Sequence, residues 1–219
     1  MKTKIIVLLL FFLSTSTFSQ RNVYGFGGGI NSKGDQIDVE TGYKLNRHLT
    51  ISLNYRFQTI RTGGYYGDSN KDYKWWIDDI DLLNFLLIPS VRFSVPILKE
   101  NNRFWSLYIE PGIMIQPLTY EVFDVAYQAI QKPYKGQTIW TGRAKGEFKW
   151  ARFYWQNKFA IQCGSKASAG GIFVGFELSN QDVYSKRRSV IVDGVSLDEH
   201  LPLKTKRYNS IFIGLRGCI

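Results

Sequence analysis

The chain has 219 residues, a formal net charge of +10, 44% hydrophobic and 16% aromatic residues, and only two histidines and two cysteines. Cys163 and Cys218 are too few for a disulfide scaffold, and no stretch is apolar over the roughly 20 residues that a membrane-crossing helix needs. The basic balance invites a nucleic-acid partner. The sequence has no RNP-like, helix-turn-helix or zinc-finger pattern, however, and its N-terminus reads as an export signal, so nucleic acid is not expected as a partner.

Residues 1–19 have the layout of a cleavable signal peptide. Lys2 and Lys4 precede an apolar run over 5–13, and a small polar stretch, 14–19, sets Thr17 and Ser19 for cleavage before Gln20. Residues 20–219 suit one domain. Along them, period-two alternation predicts eight strands. The first, around Tyr24, Phe26 and Ile30, is diluted by Gly25, Gly27, Gly28 and Gly29. The second sets Ile37, Val39, Thr41 and Tyr43 against Asp38, Glu40, Gly42 and Lys44. In the third, Leu49, Ile51, Leu53, Tyr55 and Phe57 alternate with Thr50, Ser52, Asn54, Arg56 and Gln58. The fourth covers 83–95 and the fifth 105–116, with Trp105, Leu107 and Ile109 against Ser106, Tyr108 and Glu110. The sixth sets Phe153, Trp155, Phe159 and Ile161 against Arg152, Gln156, Lys158 and Gln162. The seventh spans 172–179 and the eighth 211–219. Pro89, Pro111 and Pro117 fall inside these segments, where bulges or earlier strand ends are expected.

The connections alternate in length. Those at 46–47, 100–102 and 164–170 are short; those at 61–80, 119–146 and 180–207 are long, and 31–35 is the one short connection on the long-loop side. Short turns at one end and long loops at the other, with an even strand count, predict an all-β fold: an eight-stranded antiparallel up-and-down transmembrane β-barrel in the outer membrane, exported through the signal peptide. The soluble alternative is a lipocalin-like calyx, with its apolar face inward around a ligand. The polar phase weighs against it. It is Gly, Ser, Gln and Asn with single charges of both signs, Asp38, Glu40, Glu110 and Glu177 against Lys44, Arg56, Arg92, Arg152, Lys158 and Arg216. The expected lumen network is Glu40, Arg56, Arg92, Glu110, Arg152, Glu177 and Arg216.

Residues 87–93 (Leu-Ile-Pro-Ser-Val-Arg-Phe), 107–112 (Leu-Tyr-Ile-Glu-Pro-Gly) and the last strand, 210–218, resemble the small outer-membrane β-barrel domain family that includes PorT-like proteins. The resemblance implies fold and location, and allows an accessory role in a secretion or envelope-assembly machine.

Chemistry is sparse. His48 adjoins the 46–47 turn and reads as solvated; His200 follows Ser196, Asp198 and Glu199 in the last loop, which alone gives a base and nucleophile no rigid frame. A lipid-modifying enzyme is therefore the weaker expectation, and no cofactor is called for. Asp68, Asp72, Asp78, Asp79 and Asp81 match no calcium-loop spacing. The glycines of the first strand lack the following helix of a phosphate loop and instead suit close approach at a barrel wall. Tyr65, Tyr66, Tyr73, Trp75 and Trp76 are expected to join an interfacial aromatic girdle, the alternative being a sugar- or protein-binding surface. Asp193-Gly194 between two apolar runs signals a tight hairpin. Lys132, Lys135, Arg143 and Lys145, with Lys186, Arg187, Arg188, Lys204, Lys206 and Arg207, are expected to form one basic outer face, the last six contacting lipopolysaccharide phosphates. The partners expected are thus outer-membrane lipid, lipopolysaccharide and an envelope or surface protein.

Overall fold

The computed structural model describes residues 21–219 except 32, 61–64, 69–72, 78–81, 101–102, 118–121, 132–134, 136–137, 146–150, 166–169, 200, 202–203, 205–206 and 219. The signal peptide and His200 lie outside the described residues.

The strands are β1 (Asn22–Asn31), β2 (Gly34–Lys44), β3 (Leu49–Ile60), β4 (Tyr65–Asp68), β5 (Tyr73–Ile77), β6 (Leu82–Glu100), β7 (Arg103–Gln116), β8 (Val122–Ala129), β9 (Thr138–Lys145), β10 (Arg152–Ser165), β11 (Gly170–Ser179), β12 (Ile191–Val192), β13 (Val195–Ser196) and β14 (Tyr208–Cys218). Eight of them close a barrel in the order β1-β14-β11-β10-β7-β6-β3-β2, every pair antiparallel. All eight expected strands are present and all belong to this barrel. What the sequence left as two long loops contains a second, four-stranded sheet, β4-β5-β8-β9.

Alternation sorts the side chains as the period-two pattern requires. Phe26, Ile37, Ile51, Phe93, Ile109, Phe153, Val174 and Ile213 are exposed on the outside, while Asp38, Arg56, Arg92, Glu110, Lys158 and Glu177 are buried inside. A calyx has the opposite polarity, so the lipocalin-like alternative does not hold.

Two expectations about backbone need correction. Pro89 and Pro111 cause no bulge: β6 and β7 hold one register from Leu87 opposite Ile115 to Pro96 opposite Ser106. Pro89 pairs with Leu53 in an unbroken β3–β6 seam, and Pro111 with Asn157 in an unbroken β7–β10 seam. Both prolines therefore place their missing N–H on the shared β6–β7 seam, where the bridging pairs thin out to Leu87–Ile115, Ser90–Gly112 and Phe93–Ile109. The bulge instead falls between Pro96 and Leu98. Pro117 lies just past the end of β7.

The glycines of β1 make room inside. A Cβ on Gly25 would lie 3.0 Å from Glu40 Oε2, on Gly27 3.3 Å from Phe173 Cζ, and on Gly29 2.9 Å from Gln36 Nε2. At the short-turn end, Asn46 Oδ1 accepts the amides of His48 (2.8 Å) and Leu49 (3.0 Å), and His48 Nδ1 lies 2.9 Å from Ser94 O, tying this turn to β6.

A Cβ on Gly112 would meet Ser90 Cβ at 2.9 Å and Pro89 O at 3.0 Å, whereas one on Gly217 meets nothing within 4 Å. Gly112→Ala should therefore destabilise the barrel by ~1–3 kcal/mol through overpacking while Gly217→Ala leaves it unchanged. Urea unfolding of the two variants against the parent measures the difference.

Candidate functional site

The lumen is where the polar phase of the strands converges. Arg56 on β3 stands at its centre, fully buried. Its Nε and Nη2 donate to Asp38 Oδ1 and Oδ2 at 2.7 and 2.8 Å, and its Nη1 and Nη2 donate to Glu177 Oε1 and Oε2 at 2.7 and 2.6 Å. Lys158 Nζ donates to the same Asp38 at 2.8 Å. β3 and β11 are diametrically opposed in the strand order, as are β2 and β10, so these pairs span the full width of the barrel.

A second cluster lies towards the short-turn end. Arg92 donates through Nε to Glu110 Oε2 at 2.8 Å and through Nη2 to Glu40. Arg216 donates to Glu40 Oε2 through Nε and Nη2 at 3.0 and 2.8 Å, and to Gln162 Oε1 at 3.2 Å. The other oxygen of Glu110 accepts from Ser90 Oγ (2.7 Å) and Asn54 Nδ2 (3.1 Å). The guanidiniums of Arg92 and Arg216 lie 5.1 and 4.8 Å from the Tyr108 ring centre, adding cation–π attraction. Four acids, Asp38, Glu40, Glu110 and Glu177, thus face four cations, Arg56, Arg92, Lys158 and Arg216, all at least nine-tenths buried. A cavity of about 10 Å³ remains between Asp38, Asn54, Tyr108 and Lys158, room for one water at most.

Above the charges, Leu86, Ile88, Met114 and Tyr154 form an apolar cluster inside the barrel. Above that, the segment after β11 folds back over the mouth. Gln181 Nε2 donates to Gln58 Oε1 at 2.8 Å, Ser185 Oγ to Gln116 Oε1 at 2.9 Å, and Asn84 Nδ2 to Val183 O at 3.4 Å. Val183, Tyr184, Val190, Val192, Leu197, Leu201 and Tyr208 then pack with Trp75 and with Val125 and Tyr127 of β8, so cap and outer sheet share one core. The hairpin expected at Asp193-Gly194 is present, with φ of 49° and 83°, the pair of positive values that a two-residue turn of this type needs. Tyr127 donates its hydroxyl to Asp193 Oδ1 at 3.1 Å; burial and that carboxylate push the hydroxyl above its ordinary range, which keeps it a donor.

Of the expected lumen network, Glu40, Arg56, Arg92, Glu110, Glu177 and Arg216 come together. Arg152 does not: it is half-buried opposite Gln116 at the cap end of β10, away from both clusters. Asp38 and Lys158 take part instead, and their phase relative to Glu40 and Gln156 was the signal for both. The cap contacts of Gln58, Asn84 and Gln116 carried no signal, because amide residues in a polar phase do not announce a partner.

The basic outer face is not assembled as expected. Arg187 is turned into the cap and only 2% exposed. Arg188 is held between Asp182, at 2.7 Å, and Asp198, so its charge is matched by acids of its own segment. Lys186 is half-buried, Lys204 and Arg207 are exposed, and Lys132 and Lys206 lie outside the described residues. Lys135 is exposed; Arg143 and Lys145 lie on β9. Trp75 is fully buried in the outer core rather than placed in a girdle. Ser196 Oγ accepts the Asp198 amide at 3.3 Å, a local turn contact.

No family model and no curated protein matches the chain. Among solved structures it is similar to Neisserial surface protein A, at 8% identity over 92% of this chain and 98% of that one, with a TM-score of 0.46. It is also similar to a major outer membrane protein from Thermus thermophilus (11% identity, 91% and 99% covered, TM-score 0.42). A third is Ail, the attachment invasion locus protein of Yersinia pestis, in complex with the heparin analogue sucrose octasulfate (7%, 89% and 96%, 0.36). The eight-stranded fold stands on its own closed register.

Replacing Arg56 by Met strands Glu177 as a buried, uncompensated anion, while Asp38 keeps Lys158, a loss of about 3–5 kcal/mol. Adding Glu177→Gln to Arg56→Met should recover much of that loss, since the Asp38–Lys158 pair remains and no lone charge is left. Denaturant unfolding of the single and double variants gives both numbers.

Proposed function

We propose that this chain is a non-enzymatic outer-membrane protein: a sealed eight-stranded barrel that carries a folded head on the outside as a surface for interaction. One observation carries the membrane reading. Among the described residues, twenty-four large apolar side chains on the barrel strands and turns are 40–66% exposed around the wall, while eight charges are locked inside. A soluble monomer rarely exposes apolar patches beyond a few hundred Å², and in lipid the same wall is satisfied. A closed barrel is also the sheet that lipid tolerates, because it leaves no unpaired edge in the hydrocarbon.

The sealed reading follows from the lumen. Cross-lumen ion pairs fill the interior, and an apolar cluster from β6, β7 and β10 together with the hydrogen-bonded cap closes the path beyond them. Expressed protein should resist carbonate extraction, and in planar bilayers it should give no steady conductance. Soluble recovery would reject the membrane reading, and stable nanosiemens-scale channels would reject the seal.

The head supports two readings of the partner. Exposed Lys204 and Arg207, just before β14, together with Lys135, favour lipopolysaccharide phosphates, replacing the wider basic face expected from sequence. Two of the three segments that resemble PorT-like proteins, 87–93 and 107–112, lie on β6 and β7 and the third on β14, and that resemblance favours an accessory part in an envelope machine. One experiment separates them. Mild-detergent purification from native membranes should retain lipopolysaccharide in the parent and lose it in Lys204→Gln/Arg207→Gln. Recovery of large protein complexes with lipopolysaccharide unchanged would favour the machine reading instead.

A further inference from the structure

At the end opposite the cap, β6 does not stop with its neighbour. Its last pair with β3 is Phe93 with Leu49, yet it continues to Glu100 and turns into β7 at Arg103. β10 follows β7 down, with Ser165 opposite Arg103. Ser94 still bonds the turn before β3, through His48 O at 2.8 Å, so residues 95–100 of β6 reach past β3. At about 3.3 Å per residue and a strand tilt of roughly 40°, this tongue adds on the order of 10 Å of wall.

Its outer face is apolar. Val95 pairs with Leu107 and Leu98 with Trp105, and the bulge between Pro96 and Leu98 leaves Ile97 exposed as well. Val95, Ile97, Leu98, Trp105 and Leu107 are 61, 49, 55, 43 and 48% exposed, in unbroken continuity with Phe93, Ile109 and Ile161 on the wall above. On β14 and β1, which stand opposite β6 and β7 in the barrel, the last large exposed apolar residues towards this end are Leu215 and Phe26. An added strand is a poor occupant for this free edge, because proline and a bulge are the features that blunt edge pairing. The occupant that the surface fits is lipid. The face continues the lipid-facing belt, its last exposed apolar pair, Leu98 with Trp105, includes a tryptophan, which prefers the lipid–water boundary, and the exposed Arg103 at the tip suits headgroup phosphate.

We propose that the β6–β7–β10 tongue is embedded in the leaflet at the short-turn end, so that the barrel's hydrophobic belt is deeper on this side and its axis leans to match. This rests on the membrane reading above, and the test separates the two. In a Cys163→Ser/Cys218→Ser background, single cysteines are placed on the tongue (Leu98→Cys, with Val95→Cys as a second position) and in the belt (Trp155→Cys). Each is labelled with a polarity-sensitive fluorophore and reconstituted in phosphatidylethanolamine–phosphatidylglycerol vesicles, with or without nitroxide-bearing phosphatidylcholine. Heat-modifiable gel migration selects the folded fraction. Loss of fluorescence to the nitroxide lipid is expected at 98 and 95 as well as at 155. Loss at 155 but not at 98 or 95 would place the tongue in water or against another protein and overturn the proposal while leaving the membrane reading intact. No loss at any position would overturn both.

Discussion

The structure depends on the ion pairs that cross the lumen. Each of the eight charges, moved alone from water into the barrel, carries a desolvation penalty of several kcal/mol, and only close, multiply hydrogen-bonded partners offset it. Arg56 meets this condition with four hydrogen bonds to two carboxylates, and Glu110 with Arg92, Ser90 and Asn54. Because every barrel strand except β1 contributes a member, the cluster forms only when all of those strands are in place. It also fixes the register, since a slip of one residue would carry the charges outward and the isoleucines inward.

β1 contributes by omission. Gly25, Gly27 and Gly29 leave the lumen side of that strand bare, and Glu40, Phe173 and Gln36 lie over the space. The two-strand reach from β2 to β14 that lets Glu40 meet Arg216 runs across this bare strand. A glycine-rich strand that looks weak by propensity is thus one where added side chains would crowd the lumen.

The barrel was legible in the sequence because its cause is periodic. Alternation at Leu49 to Gln58 or Phe153 to Gln162 depends on which face meets which environment, and that is written into every second residue. The direction of the polarity was legible too, from single charges of both signs on the polar phase. Pairing was less so: Asp38 and Lys158 meet only through curvature and strand order, which no local window holds, and Arg152 shares their phase but sits too near the rim. The outer sheet was missed because β4, β5, β8 and β9 are short and come from two distant loops, and the core they form with the cap joins Trp75 to Leu197 across more than half the chain. Arg187 and Arg188 show the same limit. A run of cations reads as a solvated face until the acids of its own segment, Asp182 and Asp198, are brought alongside.

The division between lumen and head has an evolutionary consequence. Inside the barrel a charge cannot change without its partners changing with it, so substitutions there must arrive as compensating sets. The head touches that system through the amides of Gln58, Asn84 and Gln116, and its own core is a separate apolar cluster. Its exposed residues can therefore drift, one at a time, under whatever selection the cell surface imposes, while the wall beneath them stays the same.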